Sequence, residues 1–500
     1  MTSQATRNTP VLLITLLAFA LRVVLLDRQS LWYDETFSLA VARADWPIFW
    51  PALLSDGVHP PGYYLLMRAC LDLLGPSAFA LRFPSVMAGT LAVPLIWQLG
   101  LALGGRRWAG AAAMLLAINP FALWYAQEAR MYSLLLCLVI AGGYAFWKLL
   151  PRPCWSRWLC FTLVSALSFA VHYFAFAFSL AQFAYLIINL RRVHRALRWW
   201  ALAQVAAFLP FLPWALAIAN REGRNFGIGW IHPPTLLDVP LTLTNLSLAL
   251  SNPSWGWTWA GFALILTLAT IGAVLARTSP LPTFYPSPPS RWLFLVTWLV
   301  IPLTFIWLIS LRVPLYVDRF FIICLPPLIL LTCTISLSPT RIARGTMVGL
   351  VLISAAASFR LLIDPALAKE DWRATAAYVQ AGQKAGDTLV MRDFQTGIPF
   401  GTYYRGLLDP KPATINQQTT PLDELSAGYD RMWLVYRRPF ESTHRLAGSD
   451  PFTWHDEQEP VIRDWLARHD PGLVREETFP GTYVVLYQLT LPGYATDDHD

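Results

Sequence analysis

The stretch VLLITLLAFALRVVLLDRQSLWYDE, residues 11–35, begins as an apolar run and ends in two adjacent carboxylates. The run from Val11 to Leu26 is close to the length of a membrane-spanning helix. No small-residue cleavage site follows it, so the pattern predicts an uncleaved first span rather than a signal sequence. Asp34 and Glu35 then lie directly beside the membrane, and their role depends on which side they occupy.

The composition points in the same direction. The 500 residues are 55% hydrophobic and only 14% charged, with a mean hydropathy of +0.44. A soluble protein has about a quarter of its residues charged, so a polytopic membrane protein is predicted. The net charge of +7 is explained by basic cytoplasmic loops rather than by nucleic-acid binding. The 6 cysteines lack zinc-type spacing and are interpreted as small apolar residues within helices.

Apolar runs of about 17–25 residues predict about eleven spans, give or take two. Alternating helix and strand patterns after the last run predict a small α/β domain. The predicted fold class is therefore an all-α polytopic membrane domain, residues 1–363, followed by a small extracytoplasmic α/β domain, residues 364–500. The predicted spans are 10–26, 83–103, 107–125, 131–149, 155–172, 173–190, 199–219, 257–276, 291–311, 319–337 and 346–363.

The loops between these runs are of two alternating kinds, one basic and one acidic. The positive-inside rule places the N-terminus and the arginine-rich loops in the cytoplasm, and the acidic loops and residues after Ile363 outside a plasma (bacterial inner) membrane. The apolar segment 59–75 carries Arg68 and Asp72. Counting it as a span would invert every later loop, so it is predicted to be an interfacial helix, as is 37–54.

Ionisable residues at membrane level are candidates for function. Asp34 and Glu35 repel each other, and a partly desolvated Asp can accept a proton from a hydroxyl or an amine. The alternative is a pair of solvated loop acids. His59, at the start of the interfacial helix with Tyr63, either binds a phosphate or only begins that helix. His172 and Tyr173 form a tight outer turn.

The second outer loop contains Gln127, Glu128, Arg130 and Tyr132. This turn either contacts a sugar and its phosphate or forms a Glu128–Arg130 pair at the interface. Arg319 suits bidentate phosphate binding, or else snorkels to the interface. All these candidates are expected on one face at one membrane depth, which fits a reaction on a phosphate-bearing substrate anchored in the outer leaflet.

Four motifs in order carry a resemblance to a known family. They are WYDE at 32–35, HPPGYY at 59–64, RFPS at 82–85 with Gly89, and YAQEARMY at 125–132. From about Leu12 to Ile363 the sequence resembles the family 39 glycosyltransferases, GT-C type membrane enzymes related to protein O-mannosyltransferases and bacterial aminoarabinose transferases. No large outer loop interrupts the spans, so the two-domain insert of the eukaryotic protein mannosyltransferases is absent.

The resemblance implies transfer of a sugar from a polyprenyl-phosphate donor to a lipid, glycan or protein acceptor on the outer face. Carried over, Asp34 is the catalytic base, with Glu35 beside it, and Glu128 positions or activates the acceptor. Contacts to the substrate or lipid phosphate are expected from His59, Tyr63, Gln127, Arg130, Tyr132, His172, Tyr173 and Arg319. The expected partners are this donor, the acceptor and membrane lipids, with no nucleic acid. No cofactor is expected, and a divalent metal bridging the phosphate is left open.

Two other function classes compete with this interpretation. A transporter or lipid flippase needs polar residues near the bilayer midplane and broken or repeated helices. A cell-envelope assembly protein would use the spans as an anchor for the C-terminal domain. Charges gathered at the outer face favour the enzyme.

Overall fold

The computed structural model describes residues 2–151, 153–221, 231, 233–249, 263, 267, 290–412, 414–415, 418–437 and 458–489. These residues form two compact units. The first, called the transmembrane unit, contains residues 2–26 and 41–363 of the described chain. The second, called the C-terminal unit, contains the described residues after Ile363 together with residues 27–40, called the first-loop segment.

The transmembrane unit is helical throughout its described parts. The helix Tyr33–Arg43 begins in the first-loop segment and ends in this unit. Its other α-helices are Thr2–Val23, Trp46–Asp56, Gly62–Leu74, Ala78–Gly104, Arg106–Ala117, Pro120–Ala126, Tyr132–Leu149, Trp155–Val171, Ala175–Ile188, Leu190–Phe208, Leu212–Ala219, Asp238–Leu248, Arg291–Ser310, Leu325–Thr332 and Arg341–Ile363. Short 3-10 helices are Leu209–Phe211, Asp318–Cys324 and Cys333–Leu337.

The predicted multi-pass membrane domain is confirmed. Within the described ranges, 6 helical stretches are long and apolar enough to cross a membrane, and a bent pair makes up to 7. Shorter apolar helices are Thr9–Val23, Trp155–Val171 and Ala175–Ile188, where three further spans are predicted. The predicted span 257–276 lies outside the described residues. The 6 stretches are Ala78–Gly104, Tyr132–Leu149, Leu190–Ala219, Arg291–Ser310, Asp318–Leu337 and Arg341–Ile363.

The bent pair replaces the single straight span predicted at 107–125. Arg106–Ala117 and Pro120–Ala126 meet at 54°. Asn119 causes the break, because its side-chain oxygen accepts a hydrogen bond from the Ala122 N–H at 2.8 Å and starts a new helix. Pro120 suits the first position of that helix, since its missing N–H would have no helical partner there.

The predicted interfacial segments are also helical. Residues 59–75 contain the helix Gly62–Leu74, which buries Tyr63, Tyr64, Met67 and Leu71 along one face. The segment predicted at 37–54 is two helices, Tyr33–Arg43 and Trp46–Asp56, rather than one. The second has an extended residue, Asp45, at its N-cap and a proline in its first turn, so the chain breaks there.

The C-terminal unit contains a five-stranded sheet of order β2-β1-β5-β7-β6. β1 pairs parallel with β2 and β5, and β7 pairs antiparallel with β5 and β6. The predicted small α/β domain is confirmed in fold class. The strands are β1 Asp387–Met391, β2 Pro410–Pro412, β3 Thr414–Ile415, β4 Gln418–Thr419, β5 Arg431–Arg437, β6 Gly472–Phe479 and β7 Thr482–Gln488, with β3 and β4 forming a separate antiparallel pair.

Helices cover both faces of this sheet. Trp372–Gly382 and Phe394–Tyr403 enclose a core around Trp433 on one face. Leu422–Ser426 and Gln458–His469 cover the other face, where Trp465 is buried. A 3-10 helix, Pro365–Leu367, precedes the unit's first α-helix. Buried and exposed side chains do not alternate along β5, because both faces of this strand are buried.

Candidate functional site

A buried polar cluster in the transmembrane unit begins at the end of the helix Trp46–Asp56. Gly57 adopts a left-handed conformation (φ 63°) and its N–H bonds the Leu53 carbonyl, which ends that helix. The turn brings His59 to within 3.6 Å of the Asp56 carboxylate, measured to Nδ1. His59 is only 5% exposed. Burial raises the pKa of Asp56, and the nearby Arg130 charge opposes that effect.

Arg130 forms the second part of this cluster. Its Nη2 lies 3.5 Å from Nδ1 and 3.4 Å from Nε2 of His59. The Arg130 carbonyl accepts a hydrogen bond from the Ser85 hydroxyl at 3.0 Å, and Ser85 contacts the Tyr63 hydroxyl at 2.8 Å. Tyr63 therefore fixes the backbone of Arg130. The sequence motif predicts a substrate contact at Tyr63. In the structure, the Tyr63 hydroxyl supports the backbone of Arg130 through Ser85.

His172 approaches the same cluster from another helix. It follows the end of Trp155–Val171, and its ring centroid lies 5.7 Å from that of His59. The close approach depends on Gly62, because a Cβ there would lie 2.5 Å from the Ala170 carbonyl oxygen. Nothing larger than glycine fits between these helices without a shift of backbone.

The tautomer of His172 follows from its hydrogen bond. The Phe174 N–H donates to His172 Nδ1 at 3.1 Å, so in the neutral ring Nε2 carries the proton. Burial lowers the pKa of His172 well below its ordinary value, and the charges of His59, Arg130 and Arg319 lower it further. His172 Nε2 is buried and has no hydrogen-bond partner among the described residues. His172 is thus a neutral donor beside cationic groups.

Arg319 completes this set, which we name the histidine–arginine cluster: His59, Arg130, His172 and Arg319. Arg319 lies in the 3-10 helix Asp318–Cys324, and its charge acts on His172. Its guanidinium carbon lies 5.7 Å from the centroid of the Phe320 ring. Phe320 in turn packs 5.2 Å from the His172 ring, between centroids. The four residues come from four separate stretches of the chain.

The position of Arg319 is set by its buried neighbour Asp318. The Thr242 hydroxyl donates to Asp318 at 2.5 Å, and the Asn245 amide donates to the other carboxylate oxygen. Thr242 also contacts the Tyr316 hydroxyl at 3.0 Å. These bonds tie the 3-10 helix to the helix Asp238–Leu248. A buried carboxylate needs such donors, and here they fix the residue that precedes the arginine.

The remaining candidates of the transmembrane unit fall into two groups. Glu128 is buried (2% exposed), and its charge and that of Arg319 both reach Tyr125, with opposite effects. The Tyr132 ring lies 6.1 Å from that of His172, so both residues adjoin the cluster.

Gln127 and Tyr173 instead make backbone contacts within the unit. The Gln127 amide donates to the carbonyls of Arg22 and Val24, at 3.2 and 2.8 Å, at the C-terminal end of the first helix. The Tyr173 hydroxyl donates to the Gly57 carbonyl at 3.3 Å and accepts from Trp214 at 3.0 Å. These two residues support the turns from which the cluster is built.

Asp34 and Glu35 belong to the C-terminal unit. They occupy the first turn of Tyr33–Arg43, where acidic residues favour the positive end of the helix dipole. Glu35 is fully buried, accepts from the Trp32 N–H at 3.4 Å, and lies 3.8 Å from the Lys369 ammonium. Asp34 is half-buried. The two adjacent acids therefore differ in environment, and only Asp34 retains partial access to solvent.

Sequence reasoning did not identify Asp56 or Lys369. Asp56 precedes His59 by three residues in one acidic loop, a signal that could have been used. Lys369 offers no local signal. Over the described residues, no group of three or more His, Cys, Asp or Glu side chains is placed to hold a metal ion. Whether a metal acts in the reaction therefore stays an open prediction.

Comparisons with known proteins bear on the family. Residues 58–216 match the model of the family described as dolichyl-phosphate-mannose-protein mannosyltransferase. No curated protein sequence matches the chain. This matched range contains His59, Arg130 and His172.

Solved structures match over most of the chain. The apo oligosaccharyltransferase of Archaeoglobus fulgidus has a TM-score of 0.52 at 10% identity, covering 86% of this chain and 69% of that one. ArnT from Cupriavidus metallidurans in the apo state has a TM-score of 0.49 at 15% identity, covering 96% and 98%. The chain therefore shares its fold with the archaeal oligosaccharyltransferase. Residues 58–216 are in addition similar to the mannosyltransferase family.

Proposed function

We propose that this protein transfers a sugar from a polyprenyl-phosphate donor to an acceptor hydroxyl or amine. The observation that carries the proposal is the histidine–arginine cluster. It places Arg130 against His59, with the buried Nε2–H of His172 beside them. Cations and a neutral donor gathered in one buried place suit an anionic group such as a phosphate.

The family match supports the chemical class of this donor. Its description names dolichyl-phosphate-mannose, a sugar joined to a polyprenyl chain through one phosphate. Three members of the cluster lie within the matched residues 58–216, and Arg319 lies beyond them. We keep the sugar general, hexose or pentose, and the acceptor open among lipid, glycan and protein.

The reaction we propose is a displacement at the anomeric carbon. The acceptor oxygen or nitrogen forms a bond to the anomeric carbon. At the same time the bond between this carbon and the phosphate oxygen breaks, and its electron pair stays with the phosphate. Asp34 takes the proton of the acceptor as a general base. Arg130 and Arg319 stabilise the departing phosphate, and His59 and His172 hydrogen-bond to it. Glu128 orients the acceptor.

We further propose that Asp34 faces the extracytoplasmic side of a bacterial inner membrane and the N-terminus faces the cytoplasm. The support is the distribution of charge, with Arg191, Arg192, Arg195 and Arg198 clustered in one connection between apolar helices. A membrane-impermeant thiol reagent applied to intact cells should label a cysteine placed beside Asp34 and spare one beside Arg192. The reverse labelling pattern contradicts this orientation.

The proposed chemistry is tested by Asp34→Asn. Release of polyprenyl phosphate is measured in native membranes supplied with polyprenyl-phosphate mannose and polyprenyl-phosphate aminoarabinose. The variant should lose transfer by a factor of roughly 10²–10⁴, the usual contribution of a general base. The matched control is Asp45→Asn, which neutralises an exposed acid of the same region. Equal rates for the two variants contradict the role of Asp34, and no release from any such donor in the wild type contradicts the donor class.

A further inference from the structure

The first-loop segment is joined to the rest of the C-terminal unit by a buried ion pair. Glu35 is fully buried, and its carboxylate lies 3.8 Å from the Lys369 ammonium, whose side chain is 8% exposed. The same carboxylate accepts a hydrogen bond from the Trp32 N–H at 3.4 Å. This reach back to the residue before the helix is the carboxylate half of a capping box. Glu35 therefore fixes the helix start that contains Asp34.

Further hydrogen bonds hold the part of the segment that precedes Glu35. The Leu31 N–H donates to the Tyr403 hydroxyl at 2.7 Å. Ser30 donates to the Asp371 carboxylate at 3.1 Å, across 341 residues of sequence. The Lys369 N–H donates to the Gln29 side chain at 3.2 Å.

An arginine adds a second ionic contact. Arg373 donates to the Asp27 carbonyl at 3.0 Å and forms an ion pair with its carboxylate at 3.1 Å. Both side chains of this pair are about half exposed, with 40% and 58% accessible, so the pair contributes little. The buried Glu35–Lys369 pair is the stronger candidate for fixing the segment.

Resting on the proposed function, in which Asp34 is the base, we propose that Lys369 is a positioning residue for the reaction. It neutralises Glu35, Glu35 holds the first turn of Tyr33–Arg43, and this turn carries Asp34. Lys369 thereby acts in catalysis without contacting substrate. Its role is to hold the base in place.

The expected effect follows from the physics of buried pairs. Removing Lys369 takes a cation away from the buried Glu35 carboxylate, which is destabilising, so the segment loosens. A misplacement of about 1 Å in a catalytic group costs about 10²-fold in rate. Because Asp34 acts on the acceptor proton only as the reaction proceeds, the loss falls on kcat and leaves the KM for the donor nearly unchanged.

The experiment compares four variants of the full chain. Lys369→Met removes the charge, and Lys369→Arg retains it. Lys384→Met is the matched control, because Lys384 is exposed in the same unit. The double variant Glu35→Gln with Lys369→Met removes both charges together. Transfer kinetics with a polyprenyl-phosphate sugar and amide exchange of residues 30–38 are measured for each.

Lys369→Met should lower kcat by about 10–100-fold, change the KM for the donor by less than about threefold, and raise amide exchange in residues 30–38. Lys369→Arg and the double variant should both recover most of the kcat and the protection, while Lys384→Met matches wild type. Wild-type exchange in Lys369→Met overturns the proposal, as does a double variant slower than Lys369→Met. The failure of the proposed function is read separately, as full activity of Asp34→Asn.

Discussion

The histidine–arginine cluster and the first-loop segment both bury charge, but they balance it differently. In the segment, the Glu35 carboxylate lies 3.8 Å from the ammonium of Lys369, so two opposite charges are buried together. In the cluster, Arg130 faces His59, and Arg319 and His172 lie within electrostatic reach, with a neighbouring carboxylate at Asp56. A buried pair of opposite charges indicates a structural role, whereas arginines and histidines from separate stretches gathered around a neutral donor indicate a site for an anion.

The largest loss of stability is expected from a substitution confined to the C-terminal unit. Asp387 accepts from Arg431 at 2.7 and 2.8 Å and from Trp433 at 2.9 Å. Asp387→Ala removes the carboxylate that faces the mostly buried Arg431, so we expect the unit to lose about 3 kcal/mol of stability. Amide exchange of β1 and β5 in the full chain measures this loss. The matched control is Asp409→Ala, at an exposed position of the same unit.

The pH dependence of this effect has a defined sign. Burial alone raises the pKa of Asp387, but the hydrogen bonds from Arg431, the Lys384 N–H and Trp433 outweigh it and lower the pKa below its ordinary value. The stabilisation is therefore present above about pH 4 and is lost as the pH falls through the lowered pKa. Wild type and Asp387→Ala should differ most near neutral pH. An equal difference at pH 2 contradicts the assignment.

A smaller effect is expected from the cluster. The pKa of buried His172 is well below its ordinary value. Below about pH 6.5, His172 is therefore protonated in the unfolded chain but stays neutral in the folded chain. The free energy of unfolding therefore falls by about 1.4 kcal/mol per pH unit below that point. The slope is measured in detergent between pH 7.5 and 5. His172→Gln should lose this contribution, and His194→Gln, at an exposed position, should keep it. Equal slopes for the two variants contradict a neutral, buried His172.

The sequence predicted the cluster better than the segment. HPPGYY and YAQEARMY placed His59 and Arg130 among the candidates, because charged residues beside apolar runs stand out. The helices of the membrane domain followed from apolar length, since a span must satisfy its own backbone hydrogen bonds. The bend at Asn119 was missed, although an Asn-Pro pair is a helix-start signal.

The role of individual side chains was less predictable. Gln127 directly precedes the charged candidate Glu128 in sequence, yet its amide donates to the backbone at the end of the first helix. Neighbours along a turn point in different directions, and periodicity does not reveal which one enters a cluster. Glu35 and Asp34 are alike in sequence, and only their tertiary contacts separate them. The pairing of Glu35 with Lys369 links distant parts of the chain, and no local pattern contains it.

The central claim, that the cluster binds the donor's phosphate while Asp34 carries out the chemistry, is tested most directly by separating binding from transfer. Binding of undecaprenyl phosphate to the purified protein is measured for Arg130→Met, Asp34→Asn and the exposed control Arg195→Met. We predict that Arg130→Met weakens binding at least about tenfold, the effect of one charged hydrogen bond. Asp34→Asn and Arg195→Met should bind within about twofold of wild type, although Asp34→Asn no longer transfers sugar. Binding that is unchanged in Arg130→Met would contradict the account.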